Sequence, residues 1–563
     1  MKNKGILAAV MLGIFLLVFG GVFFGINATK NIGQDVRVVE EKDAASEVAK
    51  AVEKLKPKTK ELVKSAVDLV GVDETEELPE LKDDTITVKA RTSLYADIFA
   101  TSEKVGKDKN GWLNEVAESF NREGFEVDGQ KVSVQLRNVS SGLGYDYIRT
   151  GKVIPDGYSP SSDLYERMLK SAGISVEEVT DKLVRNYPGV AVSNSKYKEL
   201  VEEYGSVSLQ VITEATSKDQ MITGYTSVFT SGTGLNFLVS DLATMDPTNP
   251  LSDAAVEEFQ KFQKNIPYVG ITTDQLILAA EKGSFDGFVT EYQAFINKPD
   301  IASKYTFVPF GYLHDNPLLT TASCSKEKRE ILDMFAEYCA KEEWQAKAKQ
   351  YGFNQDLQYV VEIPEVTGDV ITKAQQIWKD TKDNGQDIIA VFVCDLSGSM
   401  NGAKVNNMQK SLINSMQYIN DNNYVGLVSY ATNVEIDVPI GKFDLNQKAY
   451  FKGAIENWVA TGGTATFDAI AVAANLLLEA KEEHPDAKLM MFLASDGEEQ
   501  GSRLKFSFIK ESMAALKIPI YTIGYDATID ALQEISNINE AATINADVDD
   551  VNYQLKNLFN SSL

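Results

Sequence analysis

The sequence predicts an α/β protein in which an N-terminal transmembrane helix precedes two successive α/β regions. Three observations predict this class. The chain begins with a long uncharged stretch, and short strands then alternate with amphipathic helices over about 270 residues. The last segment, about 180 residues long, repeats this alternation with strands that are apolar along their whole length. Such strands are typical of a parallel sheet covered by helices on both faces, so this last region is predicted to be doubly wound and Rossmann-like.

Length and composition indicate a folded protein of several domains. The chain of 563 residues exceeds what one hydrophobic core usually spans, and 44% hydrophobic residues are enough to build real cores. The 81 acidic residues outnumber the 55 basic ones, which gives a formal charge of -26. Because a surface of that sign repels phosphate backbones, no nucleic acid partner is expected.

The first 28 residues predict a membrane anchor. Lys2 and Lys4 precede an uncharged stretch over residues 5–28, which as a helix is about 35 Å long and can cross a bilayer. A cleaved signal peptide has a shorter apolar region and a small residue where Ile26 stands. An uncleaved signal-anchor over 1–28 is therefore favoured, with the bulk of the chain outside the cell membrane. A cleaved signal peptide and a buried soluble helix are the alternatives.

Residues 29–84 predict a charged, partly helical spacer. Helix-like apolar spacing in "EVAKAVEKLKPKTKELVKSAVDLVGV" is broken by Pro57, and the acidic segment "DETEELPELKDD" follows. We interpret this segment as a spacer that lifts the rest of the chain from the membrane, with a disordered stalk as an equal alternative.

Residues 85–360 carry three loops rich in small polar residues. "TITVKA" and "VSVQLRNV" are predicted strands, and "GWLNEVAESFNRE" is a predicted amphipathic helix. The loops are "RTSLY", "NVSSGLGYDYIRTGKVIPDGYSPSSDLY" and "YTSVFTSGTGLNFL". Hydroxyls and free amides at helix starts can hold an anion or another polar ligand, although helix capping explains each loop taken singly.

Taken together in chain order, these loops resemble the periplasmic-binding-protein-like, extracellular solute-binding fold of two lobes and a hinge. "KVIPDGYSPSSDLYERML" is similar to the ligand-lining loop of such proteins, and "DGFVTEYQAFI" resembles the segment that returns across the cleft. The resemblance implies a two-lobed domain with a ligand cleft, and hydroxyls suit an oxyanion or a sugar equally. The implied cleft residues are Thr92, Ser93, Ser140, Ser141, Ser159, Ser162, Ser231, Thr233 and Glu291.

Residues 384–563 place hard oxygen ligands in three loops. "DLSGSM", with Asp395, Ser397 and Ser399, follows the strand "IIAVFVC". Thr464 lies in the glycine turn "TGGTAT", and Asp496 follows the strand "KLMMFL". In a doubly wound sheet such loops form one crevice at the carboxyl ends of the strands. This set of oxygens suits Mg²⁺, and Ca²⁺ or Mn²⁺ also fits.

This pattern resembles the von Willebrand factor type A domain. In that family these positions form a metal-ion-dependent adhesion site (MIDAS). The resemblance implies that Ser397, Ser399 and Thr464 contact the ion directly or through water, while Asp395 and Asp496 supply charge and hold waters. A carboxylate from a partner protein then completes the coordination. Taken singly, each residue would fit a turn or a helix cap, but their coincidence in three loops favours the metal site.

The sequence offers little for catalysis. Its two histidines, His314 and His484, are interpreted as a turn residue and a solvated loop residue. It contains no GxSxG, HExxH or P-loop motif, so no enzyme activity is expected. Cys394 is interpreted as a core residue, whereas spacing leaves open whether Cys324 and Cys339 form a disulfide.

These expectations describe a membrane-anchored extracellular binding or adhesion protein. Its metal site would recognise an Asp or Glu carboxylate of a protein partner, and its solute-binding-like region would sense a small molecule. The alternative is the substrate-binding component of a solute transporter, with the metal-binding domain as a docking accessory. A metal-dependent hydrolase would need an acid–base pair close to the ion, and none is evident.

Overall fold

A computed structural model gives the fold of most of the chain. The described residues are 40–67, 75, 78–266, 269–270, 273–281, 283, 285–382, 386–525, 530–539, 543–545 and 551–563. The predicted membrane anchor, residues 1–28, lies outside them. In the part of the chain that is described, no helix has the length and apolar character needed to cross a bilayer.

The described residues alternate strands and helices, which confirms the predicted α/β class. The strands are β1 (Lys58–Thr59), β2 (Ile86–Val88), β3 (Leu94–Ala100), β4 (Glu126–Val127), β5 (Gln130–Asn138), β6 (Gly157–Ser159), β7 (Val176–Thr180), β8 (Pro188–Ser193), β9 (Thr223–Thr226), β10 (Val269–Gly270), β11 (Gly287–Glu291), β12 (Tyr305–Pro309), β13 (Leu318–Thr321), β14 (Ile388–Asp395), β15 (Tyr424–Tyr430), β16 (Val434–Lys442), β17 (Lys488–Ser495), β18 (Ile520–Gly524) and β19 (Thr543–Asn545).

The α-helices lie between these strands and at both ends of the described chain. They are α1 (Glu41–Leu55), α2 (Ser102–Val105), α3 (Trp112–Glu123), α4 (Ser141–Thr150), α5 (Leu164–Ser171), α6 (Asn194–Tyr204), α7 (Leu209–Ser217), α8 (Gly232–Met245), α9 (Asp253–Lys264), α10 (Thr273–Glu281), α11 (Tyr292–Ile296), α12 (Pro299–Ala302), α13 (Lys326–Cys339), α14 (Glu342–Gln350), α15 (Gly368–Thr381), α16 (Ala403–Ser415), α17 (Leu445–Glu456), α18 (Thr466–Glu483), α19 (Phe506–Leu516), α20 (Asp530–Ser536) and α21 (Val551–Ser562).

Two of the sheets divide the middle region into two lobes. Lobe 1 has the strand order β2-β5-β3-β6-β13-β7, with β4 paired to β5, and lobe 2 has the order β10-β9-β11-β8-β12. The chain passes from lobe 1 to lobe 2 after β7 and returns after β12. At this double crossing Asn186 and His314 form an antiparallel bridge. The middle region is therefore two-lobed, as the resemblance implied.

The third sheet has the order β1-β16-β15-β14-β17-β18-β19. Its central strand β14 is parallel to β15 and β17, and β17 is parallel to β18. Along β14, Ile388, Ala390, Phe392 and Cys394 pack into one apolar core. Ile389, Val391 and Val393 pack into a second core on the other face. Burial on both faces is the reason why this strand is apolar throughout.

The segment after residue 40 does not extend away from this sheet as the predicted spacer would. Helix α1 buries Ala44, Val48, Val52 and Leu55 in the second core of the third sheet. Strand β1 then pairs in parallel with β16 and so forms the edge of the third sheet. The apolar spacing of α1 thus reflects packing against the third sheet, and residues 41–59 belong structurally to the domain that this sheet forms, which is called the metal-site domain after the site predicted in it.

The three cysteines are all free thiols. Cys339 and Cys394 are buried in apolar cores, and Cys324 is half-buried. Cys324 and Cys339 therefore do not form the disulfide that their spacing left open.

Candidate metal centre and ligand cleft

The three predicted metal-site loops are joined to one another through backbone hydrogen bonds. The amide of Thr461 donates to the carbonyl of Leu396 (2.7 Å), and the amide of Gly398 donates to the carbonyl of Gly462 (3.0 Å). The amide of Gln500 donates to the carbonyl of Thr464 (3.3 Å). The loop after β14 is thus tied to the glycine turn, and the glycine turn is tied to the loop after β17.

Glycine is required in the middle turn. Gly462 has a φ of +85°, in the left-handed region that other residues rarely adopt. A Cβ atom there would also lie 2.8 Å from the Thr432 hydroxyl. That hydroxyl accepts a hydrogen bond from the amide of Gly463 at 2.9 Å, which holds the turn against the loop after β15. The turn can therefore approach the first loop closely and bring Thr464 beside it.

Asp395 is held in a fixed orientation at the end of β14. Its carboxylate is fully buried and accepts two hydrogen bonds: from the amide of Ser397 at 2.8 Å and from the hydroxyl of Ser495 at 2.7 Å. The hydroxyls of Ser397 and Ser399 are 3.0 Å apart. Since each hydroxyl oxygen has two lone pairs, both can hydrogen-bond and still offer an oxygen to a ligand.

The electrostatics of the site favour a cation. Burial, with the nearby charge of Asp496, raises the pKa of Asp395 to about 6, although Ser397 and Ser495 oppose this shift. Asp496 is buried and pairs with the ammonium of Lys404 at 3.1 Å. Two buried carboxylates with one lysine leave an excess of negative charge, which a divalent ion would neutralise.

The residues present fit a hard divalent ion with few acidic ligands. Among the described residues, no group of three or more His, Cys, Asp or Glu side chains is placed to hold a metal. An ion at these loops would therefore rely on two carboxylates together with neutral hydroxyls, a donor set that suits Mg²⁺ with retained waters. The residues that would hold it are Asp395, Ser397, Ser399, Thr464 and Asp496.

The nearby acid Asp468 has a different role. One of its oxygens accepts hydrogen bonds from the amides of Arg503 and Leu504, each at 2.9 Å. The other accepts from the guanidinium of Arg503 at 3.1 Å. Asp468 therefore anchors the segment after the third loop, and its carboxylate is occupied by protein donors.

A cavity of about 350 Å³ lies between the two lobes. Five of the predicted cleft residues line it: Ser140, Ser141, Ser231, Thr233 and Glu291. Ser140 and Ser231 also cap helices α4 and α8, accepting from the amides of Leu143 and Gly234. Their hydroxyls thus accept hydrogen bonds at the helix starts and also line the cavity.

The other four predicted cleft residues do not line this cavity. Thr92 and Ser93 precede β3, and the Thr92 hydroxyl lies 2.7 Å from that of Ser133. The predicted strand before them, β2, is antiparallel to β5, so its end faces away from the cleft edge. Ser159 ends β6 and Ser162 follows it, but both are fully buried, and their hydroxyl oxygens have no hydrogen-bond partner among the described residues.

Several cleft residues escaped the sequence analysis. In lobe 1, Thr101, Ser102, Glu103 and Ser161 line the cavity, and Thr230, Thr273 and Gln293 line it from lobe 2. They follow the strands β3, β6, β9, β10 and β11. Their position after the carboxyl ends of parallel strands could have identified them from the sequence. The sequence pattern suggested β2, rather than β3, as the first strand of the parallel set, and the residues after β3 were therefore missed.

Glu291 belongs to a buried polar network that also contains His314. The carboxylate accepts from the Thr233 hydroxyl (3.0 Å) and the Asn186 amide (2.9 Å), and it lies 2.6 Å from Nδ1 of His314. Burial opposes ionisation of Glu291, but His314 and then Thr233 hold its pKa below the usual value. His314 is fully buried, so its interpretation as a turn residue missed its role in linking the lobes.

Comparison with protein families matches the C-terminal part of the chain. The von Willebrand factor type A domain family matches residues 390–561. A von Willebrand factor type A structure from Catenulispora acidiphila shares 19% identity with a TM-score of 0.28, covering 31% of this chain and 43% of that one. The match thus spans less than half the length of that protein.

Two other solved structures that match part of the chain are solute-binding proteins. An extracellular solute-binding protein from Bordetella parapertussis shares 13% identity with a TM-score of 0.37, covering 51% of this chain and 99% of that one. A periplasmic thiamin-binding protein shares 12% identity with a TM-score of 0.38, covering 52% of this chain and 95% of that one. No curated protein matches the chain.

Proposed function

We propose that this protein is a membrane-anchored extracellular binding protein that captures a protein partner through a divalent cation. The observation that carries the proposal is the metal-site crevice: three hydrogen-bonded loops hold two buried carboxylates and three hydroxyls at the carboxyl edge of one sheet. Mg²⁺ bound there would keep open positions for an outside ligand, since the side chains supply few charged donors.

A carboxylate is the partner group that this site would select. Two acids around a divalent ion leave little net charge to repel an incoming Asp or Glu side chain. Beside the crevice lies a cavity of about 250 Å³, whose lining includes the apolar side chains of Phe467, Phe506, Leu532 and Ile535 and the acids Glu498, Glu499 and Glu534. A partner that presents an apolar side chain next to its carboxylate would bury it there.

The cleft between the lobes supports a second binding role, for a small polar ligand. Its described lining is rich in hydroxyls and carboxamides and contains the carboxylates of Glu103 and Glu291, but no Lys or Arg side chain. This lining favours an uncharged, sugar-like ligand over an oxyanion, because an anion would meet acids without a cationic partner.

The extracellular location rests on the sequence of residues 1–28, where lysines precede an uncharged stretch. Removing these residues should release the protein from the membrane fraction. Continued sedimentation of the shortened chain with membranes would contradict the anchor.

Isothermal titration with MgCl₂ tests the metal site. The wild-type protein should take up one ion, and Asp395→Ala should lose that uptake while keeping its circular dichroism spectrum. Glu498→Gln is the matched control, because it removes an exposed acid in the same loop region without touching the five oxygen donors. Equal Mg²⁺ uptake by wild type and Asp395→Ala would overturn the proposal.

A further inference from the structure

The C-terminal helix α21 belongs to the metal-site domain through one face. Leu555, Leu558 and Phe559 are buried in the first core of the third sheet. The Phe559 ring packs edge-on against Phe392 and Phe492, with centroids 5.6 and 5.3 Å away. This face fixes the helix to the strands that carry the metal-site loops.

The other face of the same helix closes the ligand cleft. Tyr553, Gln554 and Asn557 line the cavity between the lobes. Tyr553 is 6% exposed and Asn557 is 4% exposed, so the side of the helix that faces the cleft is almost as buried as the side that faces the core. Tyr553 packs in one cluster with residues of both lobes, including Tyr145 of lobe 1 and Leu235 of lobe 2.

The lobes themselves are in close contact around this cavity. A Cβ atom on Gly142 of lobe 1 would lie 2.1 Å from the carbonyl oxygen of Phe229 in lobe 2. A Cβ atom on Gly232 of lobe 2 would lie 2.0 Å from the Ser161 hydroxyl of lobe 1. Because glycine alone permits both approaches, the structure is a closed state of the two lobes.

A second helix connects the lobes to α21. Along α15, Ile371 packs with the cluster that contains Tyr553, whereas Ala374 and Trp378 pack in the core of lobe 2. The ammonium of Lys379, one residue further, donates to the side-chain carbonyl of Asn560 on α21 at 2.7 Å. Both lobes and the metal-site domain thus meet at α15 and α21.

We infer that α21 is a latch: its docking between the lobes holds the cleft closed, so that the metal-site domain controls access of the small ligand. This inference rests on the proposed use of the cleft as a ligand site. Parting the lobes removes the wall that Tyr553 and Asn557 form. By linkage, a ligand that binds the closed cleft also strengthens docking of the metal-site domain.

The latch is tested by measuring the distance between the lobes in the full chain. Spin labels are placed through Lys131→Cys in lobe 1 and Lys198→Cys in lobe 2, both exposed, in a Cys324→Ser background. Double electron–electron resonance should give one short, narrow distance distribution for this protein. Tyr553→Ala should shift the distribution to longer and broader distances, and Asn557→Ala should shift it in the same direction.

Lys556→Ala is the matched control, because this side chain lies over the Tyr418 ring of the metal-site domain and does not line the cleft. It should leave the distance unchanged. If Tyr553→Ala does not fold, the latch is tested with Asn557→Ala alone, since this substitution removes a smaller group. If the variants Tyr553→Ala and Asn557→Ala fold and give the same distances as the spin-labelled protein without these substitutions, the latch proposal is overturned. Because the measurement needs neither metal nor ligand, that result would leave the proposed binding functions standing.

Discussion

Asp241 carries a buried carboxyl group in the middle of helix α8 in lobe 2. Burial raises its pKa to about 7, and the neighbouring Thr213 hydroxyl only partly opposes this. A folded-state pKa above the unfolded value means that the native state binds the proton more tightly. The contribution of Asp241 to stability is therefore greatest at acidic pH and is lost as the pH rises from about 4 to about 7, by on the order of 4 kcal/mol.

Asp241→Asn should remove this pH dependence, because the amide has the same shape and does not ionise. Between pH 5 and pH 8 the Tm of the wild-type protein should fall more than that of Asp241→Asn, measured by differential scanning calorimetry. Asp253→Asn, at an exposed acid on α9, is the control and should follow the wild type. Parallel Tm curves for wild type and Asp241→Asn would contradict the assignment.

At the residue scale, the structure joins by hydrogen bonds the three loops that the sequence analysis grouped by their oxygen-bearing side chains. Asp395 ends the apolar strand β14 and Asp496 follows the apolar strand β17, whereas Thr464 lies in the glycine turn before helix α18. Thr92 and Ser93 have the same chemistry but precede β3, and that register depends on tertiary pairing. His314 looked like a turn residue because its partner Glu291 lies in another segment of the chain.

At the element scale, helix α1 shows that a local sequence pattern can predict a helix without predicting the surface against which it packs. Its apolar positions predicted an amphipathic helix, and the helix is present over Glu41–Leu55. The pattern could not say which surface the apolar face covers, because nothing local distinguishes a spacer from a packed helix. The structure packs it against α18 and α19 of a domain whose other strands begin more than 300 residues later.

Val48→Asp tests the importance of this packing. Val48 is 0% exposed, so an unpaired acid there should destabilise the metal-site domain by about 3 kcal/mol or more. Ala49→Asp introduces the same acid at an exposed position on the same helix and should have little effect. Thermal unfolding followed by circular dichroism compares the two variants, and similar Tm values for both would show that α1 does not stabilise the domain.

At the scale of the whole molecule, the two-lobed region is inserted into the metal-site domain. Strand β1 and helix α1 precede the lobes in sequence, and the strands β14 to β19 follow them, yet all of these elements form one sheet and its cover. The sequence predicted both domain types from their motifs. The insertion was not predictable, since it depends on a two-residue strand pairing at Lys58–Thr59.

This arrangement places the metal crevice and the ligand cleft in domains that share helix α21. The partner-binding role therefore depends on the loops after β14, the glycine turn and the loop after β17 forming one cation site, whereas the latch depends on the docking of α21 between the lobes. The remaining elements position that site and connect it to the cleft.

The most direct test is anomalous diffraction from crystals of the protein soaked in MnCl₂, because Mn²⁺ takes oxygen ligands similar to those of Mg²⁺ and can be located by its own scattering. The account predicts one strong anomalous peak in contact with oxygens of Ser397, Ser399 and Thr464 and close to Asp395 and Asp496. A map without a peak between these three loops, or with Mn²⁺ bound only elsewhere, would contradict it.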